Sequence, residues 1–518
     1  MTIAISSFTP APALDLSSLH ERASLNEALT SARTWLATYK TQPTRVAPSG
    51  REIPVHNPSD GAETLGSYNF SAPEQLDAAL ERAWQTFSSW RETTPEERIA
   101  LLQRVASLMR AERRELAATV LLETGKVWAE ADGEVAESID FLEYHQQVYK
   151  AMLNRAESAV LPHPRERNEY RYVPLGVGVL LPPWPFPIAQ LTAMVSAAVV
   201  TGNAVVVKPA PWASLTSARV IDLWRRAGAP TGLIELVFGT GADVGRYLTR
   251  HRRTRFVVLT GSSATGSAVT ADLASSAEQR PWFTRLSMEL SGKNPVVVDA
   301  TADLELTAKA IAEGAFSFSG QKCSAGTRAI VVADVYDEFL ERMVAQAEAM
   351  TVANPAGFET GTGPLINDSA AERHRRAVAS AKQEGCRVHA GGTSPAGPNY
   401  VRPTVIEDVA MSSPLARTEW LTPILTVTSA KNVEAALQLA NDSPYGLTGS
   451  FFSSTERHVE LAARTMMVGS LYLNRKPTAS EVGFHPFGGF GLSGTDAKAG
   501  GPDYLFNYVQ PQLVTRAK

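Results

Sequence analysis

The chain has 518 residues, of which 44% are hydrophobic and 20% are charged, and its formal net charge is −4. This composition is typical of a globular protein with one large fold or two to three domains, and the charge argues against nucleic acid or an anionic membrane as a partner. With only two cysteines and no CxxC spacing, we expect neither a disulfide framework nor a metal site. The N-terminal stretch lacks the pattern of a signal peptide, and prolines interrupt the most apolar segment, 176–207. We therefore expect a cytoplasmic enzyme.

Helical signals begin only after residue 70, and the first forty residues carry no clear pattern. Ser71 and Glu74 predict a capping box at the start of the first clear helix. Thr94, Pro95 and Glu97 predict a second helix start, with an N-cap, a first-turn proline and a carboxylate that reaches back. Helical patterns then continue through RIALLQRVASLMRAERRELAATVLLETG and AEADGEVAESIDFLEYHQQVYKAML.

Beyond residue 158 the pattern changes from helical to mixed. The segment AVLPHPRERNEYRYVPLG predicts a hairpin that leaves the body of the protein. Short apolar runs then alternate with helical segments, with strands predicted at Gly176–Leu181, Ala204–Val207, Leu233–Phe238 and Phe256–Thr260, and helices at Ile188–Val200, Ser214–Ala227 and Asp243–His251. Such alternation predicts an α/β fold with a parallel sheet covered on both faces, a common frame for nucleotide binding. A second α/β alternation follows from residue 295.

Cys323 lies in the glycine-flanked stretch FSGQKCSAG. One interpretation is a buried structural thiol. The other is a nucleophile, since the small neighbours let the backbone approach a ligand and Lys322 could favour the thiolate. Glu289, in SMELSGKN, lies among apolar residues and glycine and could act as a general base near neutral pH if desolvated. A nucleophile and a base from separate loops are typical of covalent acyl chemistry, without identifying the reaction.

Seven segments together resemble the signature motifs of the NAD(P)-dependent aldehyde dehydrogenase superfamily, in the family's order. They are LPPWPFPIA, VVVKPAP, VLTGSSATG, SMELSGKN, FSGQKCSAGTR, TEWLTPI and HPFGGFGLSGTDAKAGGPDYL. The resemblance runs from about residue 45 to the end of the chain. FSGQKCSAGTR and the GGPDYL tail are most similar to the branch that oxidises glutamate semialdehyde, the 1-pyrroline-5-carboxylate dehydrogenases.

The resemblance implies a mechanism for Cys323 and Glu289. Cys323 would attack an aldehyde to give a thiohemiacetal, hydride would pass to NAD or NADP, and a thioester would remain. Glu289 would activate the water that hydrolyses this thioester to the acid.

Positions that bind the cofactor also follow from the resemblance. The adenosine ribose would contact Lys208, and the nicotinamide ribose would contact Glu419. The pyrophosphate would meet a helix start, where free amides and the helix dipole favour anions. The implied residues around that helix start and the phosphates are Trp184, Gly261, Ser262 and Gly266.

The resemblance further implies a substrate site for an amino-acid aldehyde. Glu137 would lie near the substrate's ammonium group and pair with Lys322. Phe186 and Phe487 would sandwich the aliphatic chain, although simple core packing is the alternative for both. The substrate's carboxylate would be anchored by Ser324 and by the loop Thr478–Ser480, which includes Ala479 and Ser480.

Two departures from the family's pattern affect the reaction. Pro185 stands where the family has the asparagine that holds the oxyanion, and proline offers neither a side-chain donor nor a backbone N–H. Loss of one such donor typically lowers turnover by about 10²–10³, so we expect slow aldehyde oxidation unless another donor replaces it. Pro211 stands where many NAD enzymes carry a ribose-binding glutamate, so we expect NADP to be tolerated.

Two further departures lie near the ends of the site. Trp420, Leu421 and Thr422 replace residues that line the nicotinamide pocket in the family. In the anchor loop, Ala479 replaces a glycine and Glu481 an apolar residue. The added carboxylate should disfavour dianionic products unless it points to solvent or pairs with Lys476.

By analogy with the family, we expect three structural parts and a homodimer or larger assembly. After an N-terminal segment of unclear role, 1–39, a Rossmann-type cofactor domain would comprise 40–157 and 174–290. An α/β catalytic domain would span 291–484. A small β flap for oligomerisation would comprise 158–173 and the tail 485–518.

Three functions remain open at this stage. The first is NAD(P)-dependent oxidation of glutamate semialdehyde or a related amino-acid aldehyde. The second is non-redox thiol chemistry on the same fold, such as acyl transfer or cyclisation in specialised metabolism. The third is a catalytically silent binding protein.

Overall fold

The structure is a computed structural model that describes residues 8–38, 51–157, 159–391, 397–495 and 498–518. Its α-helices are α1 (Leu19–Thr38), α2 (Pro73–Trp90), α3 (Pro95–Ala111), α4 (Arg113–Thr124), α5 (Trp128–Glu157), α6 (Ala189–Val200), α7 (Ser214–Arg226), α8 (Arg246–Arg250), α9 (Ser263–Ser275), α10 (Leu304–Phe316), α11 (Tyr336–Ala349), α12 (Asp368–Gln383), α13 (Pro414–Arg417), α14 (Val433–Asn441) and α15 (Glu456–Thr465).

The β-strands are β1 (Glu52–Asn57), β2 (Asp60–Asn69), β3 (Glu166–Pro174), β4 (Val177–Leu181), β5 (Ala204–Val207), β6 (Ile234–Leu236), β7 (Phe256–Thr260), β8 (Arg285–Glu289), β9 (Asn294–Val298), β10 (Gly326–Val332), β11 (Arg387–Ala390), β12 (Thr404–Glu407), β13 (Ile424–Ala430), β14 (Tyr445–Gly446), β15 (Thr448–Phe452), β16 (Ser470–Leu473), β17 (Phe490–Gly491) and β18 (Val509–Ala517).

A parallel sheet of five strands occupies the first half of the chain, in the order β6-β5-β4-β7-β8. Every residue of β4 and β5 is buried, as expected for a sheet covered on both faces. The predicted α/β class is confirmed, and the bounds of β5 and β7 are those expected. The strand predicted at Leu233–Phe238 shortens to Ile234–Leu236, and a π-helical turn at Gly241–Gly245 precedes the short helix α8.

A second sheet has seven strands in the order β11-β12-β13-β10-β9-β15-β16. All its pairings are parallel except that between β11 and β12. The short loop between β8 and β9 carries the chain from the first sheet to the second. Because β9 and β10 pair with Gly326 opposite Asn294, the segment before β10 lies beside that loop. This arrangement brings the two candidate catalytic segments together.

The two predicted helix starts have different outcomes. The Thr94 box is confirmed, since Thr94 Oγ1 accepts from Glu97 N and the Glu97 carboxylate accepts from Thr94 N. The Ser71 box is wrong. The N-cap of α2 is Ala72, whose N–H donates to the Gln75 side chain at 2.7 Å. Ser71 Oγ instead accepts from Phe238 N, because the chain before α2 packs beside the end of β6.

The hairpin predicted after residue 158 is limited to one antiparallel bridge, between His163 and Glu166. Strand β3 pairs antiparallel with the C-terminal strand β18 along its whole length, from Glu166 opposite Ala517 to Pro174 opposite Val509. The partner lies more than 300 residues away, so no local turn signal could reveal it. The N-terminal region, for which no pattern was found, forms helix α1, which buries Leu25, Leu29 and Leu36 against the first core. No described helix is both long and apolar enough to span a membrane.

The close packing of the first sheet provides a test of the fold. A Cβ added at Gly178 in β4 would lie 2.1 Å from the Phe256 ring, so Gly178→Ala should lower the free energy of unfolding by about 1–3 kcal/mol through overpacking. Gly61→Ala is the matched control, since nothing lies within 4 Å of its added Cβ. The thermal unfolding midpoint at one scan rate measures both. Equal midpoints would contradict the observed packing of β4.

Candidate active site

Cys323 and Glu289 meet at the junction of the two sheets. Glu289 is the last residue of β8, and Cys323 precedes β10 by a short loop. The thiol donates to Glu289 Oε1 at an Sγ–Oε1 distance of 3.6 Å. Sequence motifs predicted both residues, and the structure places them in contact.

Burial controls the protonation of this pair. It raises the pKa of the Glu289 carboxyl to about 7, although hydrogen bonds from Cys323 and Gln190 oppose the increase. Burial and the nearby Glu289 and Glu419 carboxylates raise the pKa of the Cys323 thiol well above its ordinary value. The expectation that Lys322 favours the thiolate is therefore wrong for this resting geometry. The thiol rests protonated beside a carboxylate that can accept its proton.

The backbone around Cys323 is held by Asn294, which the sequence analysis missed. Asn294 Nδ2 donates to Cys323 O at 2.7 Å and to Ala325 O at 2.8 Å, and its Oδ1 accepts from Thr448 N. A Cβ at Gly292 would lie 2.4 Å from Cys323 O, so a larger residue there would displace the loop. Asn294 ends the quoted motif SMELSGKN, which was the available signal.

A cavity of ≈ 690 Å³ opens above the thiol, and acidic side chains dominate its polar lining. The carboxyl groups at its wall are Glu130, Glu134, Glu137, Asp140, Glu289, Glu313 and Glu481. Three lysines are also present, and each pairs with one carboxylate. The pairs are Lys126 with Glu134, Lys322 with Glu130 and Lys476 with Glu313.

The predicted pairing of Lys322 with Glu137 is wrong. Lys322 Nζ instead contacts Glu130, which precedes Glu137 by about two turns of α5. It also donates to Ser317 Oγ at 3.0 Å. In the part of the chain that the structure describes, the Glu137 carboxylate has no hydrogen-bond partner. Burial and repulsion from Glu134 raise the pKa of Glu137 to about 8. It faces the cavity as an unpaired acid that a bound cation would ionise.

Phe186 and Phe487 both line the cavity and are partly exposed to it. Lys126 Nζ lies 4.2 Å from the centre of the Phe186 ring, a cation–π contact. The alternative interpretation for both residues was simple packing in a core. Their partial exposure to the cavity does not agree with it.

The predicted anchor loop also reaches the cavity. Ser324, Thr478, Ala479 and Ser480 all line it. Ala479 has φ +62°, a left-handed conformation that costs a residue with a side chain about 1–2 kcal/mol. Ser480 Oγ is 2.5 Å from the Tyr472 hydroxyl, which fixes its orientation.

The added carboxylate of Glu481 is exposed at the cavity wall. Lys476 is not its partner, since Lys476 Nζ pairs with Glu313 at 2.9 Å. The charge of Glu481 is therefore not neutralised by Lys476. Exposure to solvent is the remaining way in which its repulsion of a carboxylate substrate would be weakened.

The N-terminal segment closes one side of the cavity, which the sequence did not indicate. Pro10, Ala11 and Ala13 line the cavity. Ala11 N donates to Asp140 Oδ1 at 2.8 Å, and Leu14 N donates to Asp132 Oδ2 at 2.9 Å. Both acceptors belong to α5, so this helix positions the segment.

The predicted cofactor residues lie at the carboxyl ends of parallel strands. Trp184 follows β4, Lys208 follows β5, and Gly261 and Ser262 follow β7. The order of the sheet reverses between β4 and β7, and such switch points form the ligand crevice of open α/β sheets. Ser262 caps α9 by accepting from Thr265 N at 3.1 Å. A helix start at this crevice fits a pyrophosphate.

Three of the predicted cofactor positions have defined contacts. Lys208 is buried, its Nζ donates to the carbonyls of Pro209 and Gly239, and burial lowers its pKa to about 8. Gly266 lets α9 approach Leu290, because an added Cβ would lie 2.6 Å from Leu290 Cδ1. Glu419 Oε1 accepts from Gly292 N at 3.0 Å, and burial raises its pKa.

Pro185 is buried in the loop between β4 and α6. Glu134, which the sequence analysis missed, holds the end of this loop: its Oε1 accepts from Ile188 N at 2.7 Å and from Ala189 N at 3.3 Å. Gln190, also missed, places Nε2 3.5 Å from Glu289 Oε2. Its signal was a carboxamide at the start of an otherwise apolar helix.

Comparison with known proteins agrees with this geometry. The model of the aldehyde dehydrogenase family matches residues 46–514. The chain is 41% identical over 461 residues to a 1-pyrroline-5-carboxylate dehydrogenase of Bacillus cereus, covering 89% of each protein. A 1-pyrroline-5-carboxylate dehydrogenase from Thermus with bound NAD superposes with a TM-score of 0.95 and 36% identity, covering 99% of this chain and 100% of that one.

A more distant structure shares the same fold. Betaine aldehyde dehydrogenase from Staphylococcus aureus, in complex with NAD+, has a TM-score of 0.88 and 25% identity, covering 95% of this chain and 97% of that one. The family match extends over both sheets, the junction that holds Cys323 and Glu289, and the first part of the C-terminal strand, up to residue 514. The chain therefore belongs to the aldehyde dehydrogenase family and is an oxidoreductase that acts on aldehydes.

Proposed function

We propose that this protein oxidises glutamate semialdehyde, or a related amino-acid semialdehyde, to the carboxylate with NAD or NADP. The observation that carries this proposal is the contact of Cys323 Sγ with Glu289 Oε1 at 3.6 Å in the wall of the cavity. The crevice predicted to bind the cofactor lies at the carboxyl ends of the strands of the first sheet. Glu289 is the last residue of β8 in that sheet. The similarity to the 1-pyrroline-5-carboxylate dehydrogenases of Bacillus cereus and Thermus supports this substrate.

Glu289 accounts for the proton transfers of this reaction. Glu289 accepts the thiol proton as Sγ bonds to the aldehyde carbon and the carbonyl electron pair moves to oxygen. When bound, NAD(P) accepts the hydride of that carbon, and a thioester to Cys323 remains. Glu289 releases its proton to solvent and then accepts one from the water that attacks the thioester. The carbon–sulfur bond breaks, the acid leaves, and the Cys323 sulfur takes the proton back from Glu289, which restores the thiol.

The cavity wall supports an amino-acid aldehyde as the substrate. The unpaired Glu137 carboxylate can accept hydrogen bonds from an ammonium group. The loop Thr478–Ser480 and Ser324 supply amides and hydroxyls for a carboxylate. Phe186 and Phe487 supply apolar surface for the methylene groups between them.

A second candidate is non-redox thiol chemistry, such as acyl transfer or cyclisation. The buried Pro185 favours it, since the family's side-chain donor to the oxyanion is missing there. This candidate retains the nucleophile and base and predicts no reduction of the nicotinamide.

We also propose that 40–157 and 174–290 form the cofactor domain and 291–484 the catalytic domain of a homo-oligomer. The two large sheets and the separate two-stranded sheet of β3 and β18 support this division. Leu161 and Leu513, near or in that pair, are exposed, as expected for a surface that a second subunit covers. The unpaired cysteines fit a reducing cytoplasmic location.

Cys323→Ala tests the proposal directly. With glutamate semialdehyde and either cofactor, the unaltered protein should increase absorbance at the nicotinamide band, and Cys323→Ala should lower turnover by at least about 10³-fold. Cys386→Ala is the matched control, because this buried thiol donates to Asp408 O, packs in a hydrophobic cluster and does not line the cavity, so its loss should leave turnover unchanged. Absence of reduction by the unaltered protein with both cofactors would contradict the dehydrogenase and favour the non-redox candidate.

The pKa of Glu289 predicts the pH dependence. Because its pKa is raised to about 7, the carboxyl is mostly protonated below that pH and cannot accept a proton. Turnover should therefore rise with pH through an inflection near 7. Glu289→Gln should lower turnover by about 10²–10⁴-fold and remove the inflection. An inflection that persists in Glu289→Gln would assign it to another group.

Pro211 predicts tolerance of NADP. Pro211 begins a 3₁₀ turn at residues 211–213 and places no carboxylate beside the expected 2′-phosphate. The dissociation constants of NAD and NADP, measured by tryptophan fluorescence, should differ by less than about tenfold, or 1.4 kcal/mol. Pro211→Glu should weaken NADP binding by more than this factor while NAD binding, as the internal control, changes little. Unchanged NADP binding in Pro211→Glu would overturn the assignment.

A further inference from the structure

We propose that the side-chain amide of Gln190 donates to the acyl oxygen of the substrate in place of the donor that Pro185 cannot supply. This inference rests on the proposed function and assigns a catalytic residue to it. Without such a donor, the oxygen that becomes negatively charged would keep only the backbone amide of Cys323.

Gln190 is held in a fixed position beside the reacting groups. It is the second residue of α6, a helix whose residues are all buried. Glu134 accepts from the two N–H groups that precede Gln190, and Gln190 N donates to Phe186 O at 3.3 Å. The backbone that carries its side chain is thereby anchored to α5 and to the loop of Pro185.

The Gln190 carboxamide and the Cys323 thiol contact different oxygens of the Glu289 carboxylate. Gln190 Nε2 is 3.5 Å from Glu289 Oε2, and Cys323 Sγ is 3.6 Å from Glu289 Oε1. All three side chains line the cavity. A carboxamide nitrogen has two N–H groups. One contacts Glu289, and the other remains for an oxygen on the carbon that Sγ attacks.

The charged donors of the cavity are already engaged. Each of the three lysines in its wall pairs with a carboxylate, as described above. Among the described residues that line the cavity, Gln190 is the only one with a side-chain carboxamide, the group type that Pro185 replaces in the family. It contacts the base, whereas Lys322 and Lys476 contact Glu130 and Glu313.

The Gln190 N–H acts on the negative charge that develops on the aldehyde oxygen. When Sγ bonds to the aldehyde carbon, the carbonyl electron pair moves to oxygen and the thiol proton moves to Glu289. The Gln190 N–H stabilises the resulting negative charge by a hydrogen bond. That charge returns to a carbonyl bond when hydride leaves, and it develops again on the same oxygen when water attacks the thioester.

A rescue experiment tests this role. Gln190→Met removes the donor at similar volume and should lower turnover by about 10²–10³-fold. Pro185→Asn restores the donor that the family uses, so Pro185→Asn/Gln190→Met should regain most of the lost turnover. Gln146→Met is the control, since this buried glutamine donates to Leu142 O in its own helix and lies outside the cavity. It should retain full turnover.

Hydrolysis of p-nitrophenyl acetate without cofactor gives an independent readout. It needs Cys323 and the oxyanion donor but no hydride transfer, so Gln190→Met should lower its rate as well. If the unaltered protein reduces no cofactor, the proposed function fails. If it reduces cofactor and Gln190→Met does so equally fast, only the inference about Gln190 fails.

The pH profile separates donation to substrate from positioning of Glu289. If Gln190 acted only through Glu289, Gln190→Met would shift the inflection and recover full turnover at high pH, where Glu289 is ionised. Donation to the oxyanion predicts that the high-pH plateau itself stays about 10²-fold lower. This comparison holds even if Pro185→Asn does not fold. A recovered plateau would overturn the inference.

Discussion

The contact between the Cys323 thiol and the Glu289 carboxylate depends on how the two sheets join. Glu289 ends the last strand of the first sheet, and Cys323 precedes a central strand of the second. Burial of both groups raises both pKa values. A protonated thiol beside a carboxylate that titrates near neutrality can transfer its proton inside the cavity when an aldehyde arrives. The low-dielectric surroundings of both groups also strengthen the charge interactions between them.

The polar groups behind this pair are satisfied by elements far apart in the chain. Glu134 of α5 both pairs with Lys126 and accepts from the start of α6, so one buried carboxylate fixes the loop that contains Pro185. Removing one member of such a pair leaves an uncompensated buried charge, which is strongly destabilising. Glu137 on the same helix is left unpaired at the cavity. Glu134 therefore has a structural role, whereas Glu137 is available to a ligand.

Pro185 changes which side chains can stabilise charge on the substrate. Its ring restricts φ and removes the backbone donor, while Glu134 holds the following helix start in place. By analogy with the family, Pro185 is expected to lack the side-chain donor that holds the oxyanion. The Gln190 carboxamide lies on the same anchored segment, as the second residue of α6. With Gln190 as the proposed donor, the chemistry of the family would be retained.

Local patterns in the sequence determined several strands and helices, the family and the candidate catalytic pair. Apolar runs and helical periodicity located β4, β5 and β7 and the helices between them, and ordered motifs identified the family and the Cys323 and Glu289 pair. These signals are local, because strand burial and helix periodicity depend on neighbouring residues.

Only the tertiary structure decided the partners of Lys322, the pairing of β3 with β18, and the N-terminal segment at the cavity wall. Glu130 and Glu137 lie on the same helix within reach of the same region, so sequence spacing could not choose between them as the partner of Lys322. The choice depends on how α5 packs against the cysteine loop. Strand β18 and the N-terminal segment likewise have no local signal for their neighbours, because their contacts form only when distant parts of the chain pack together.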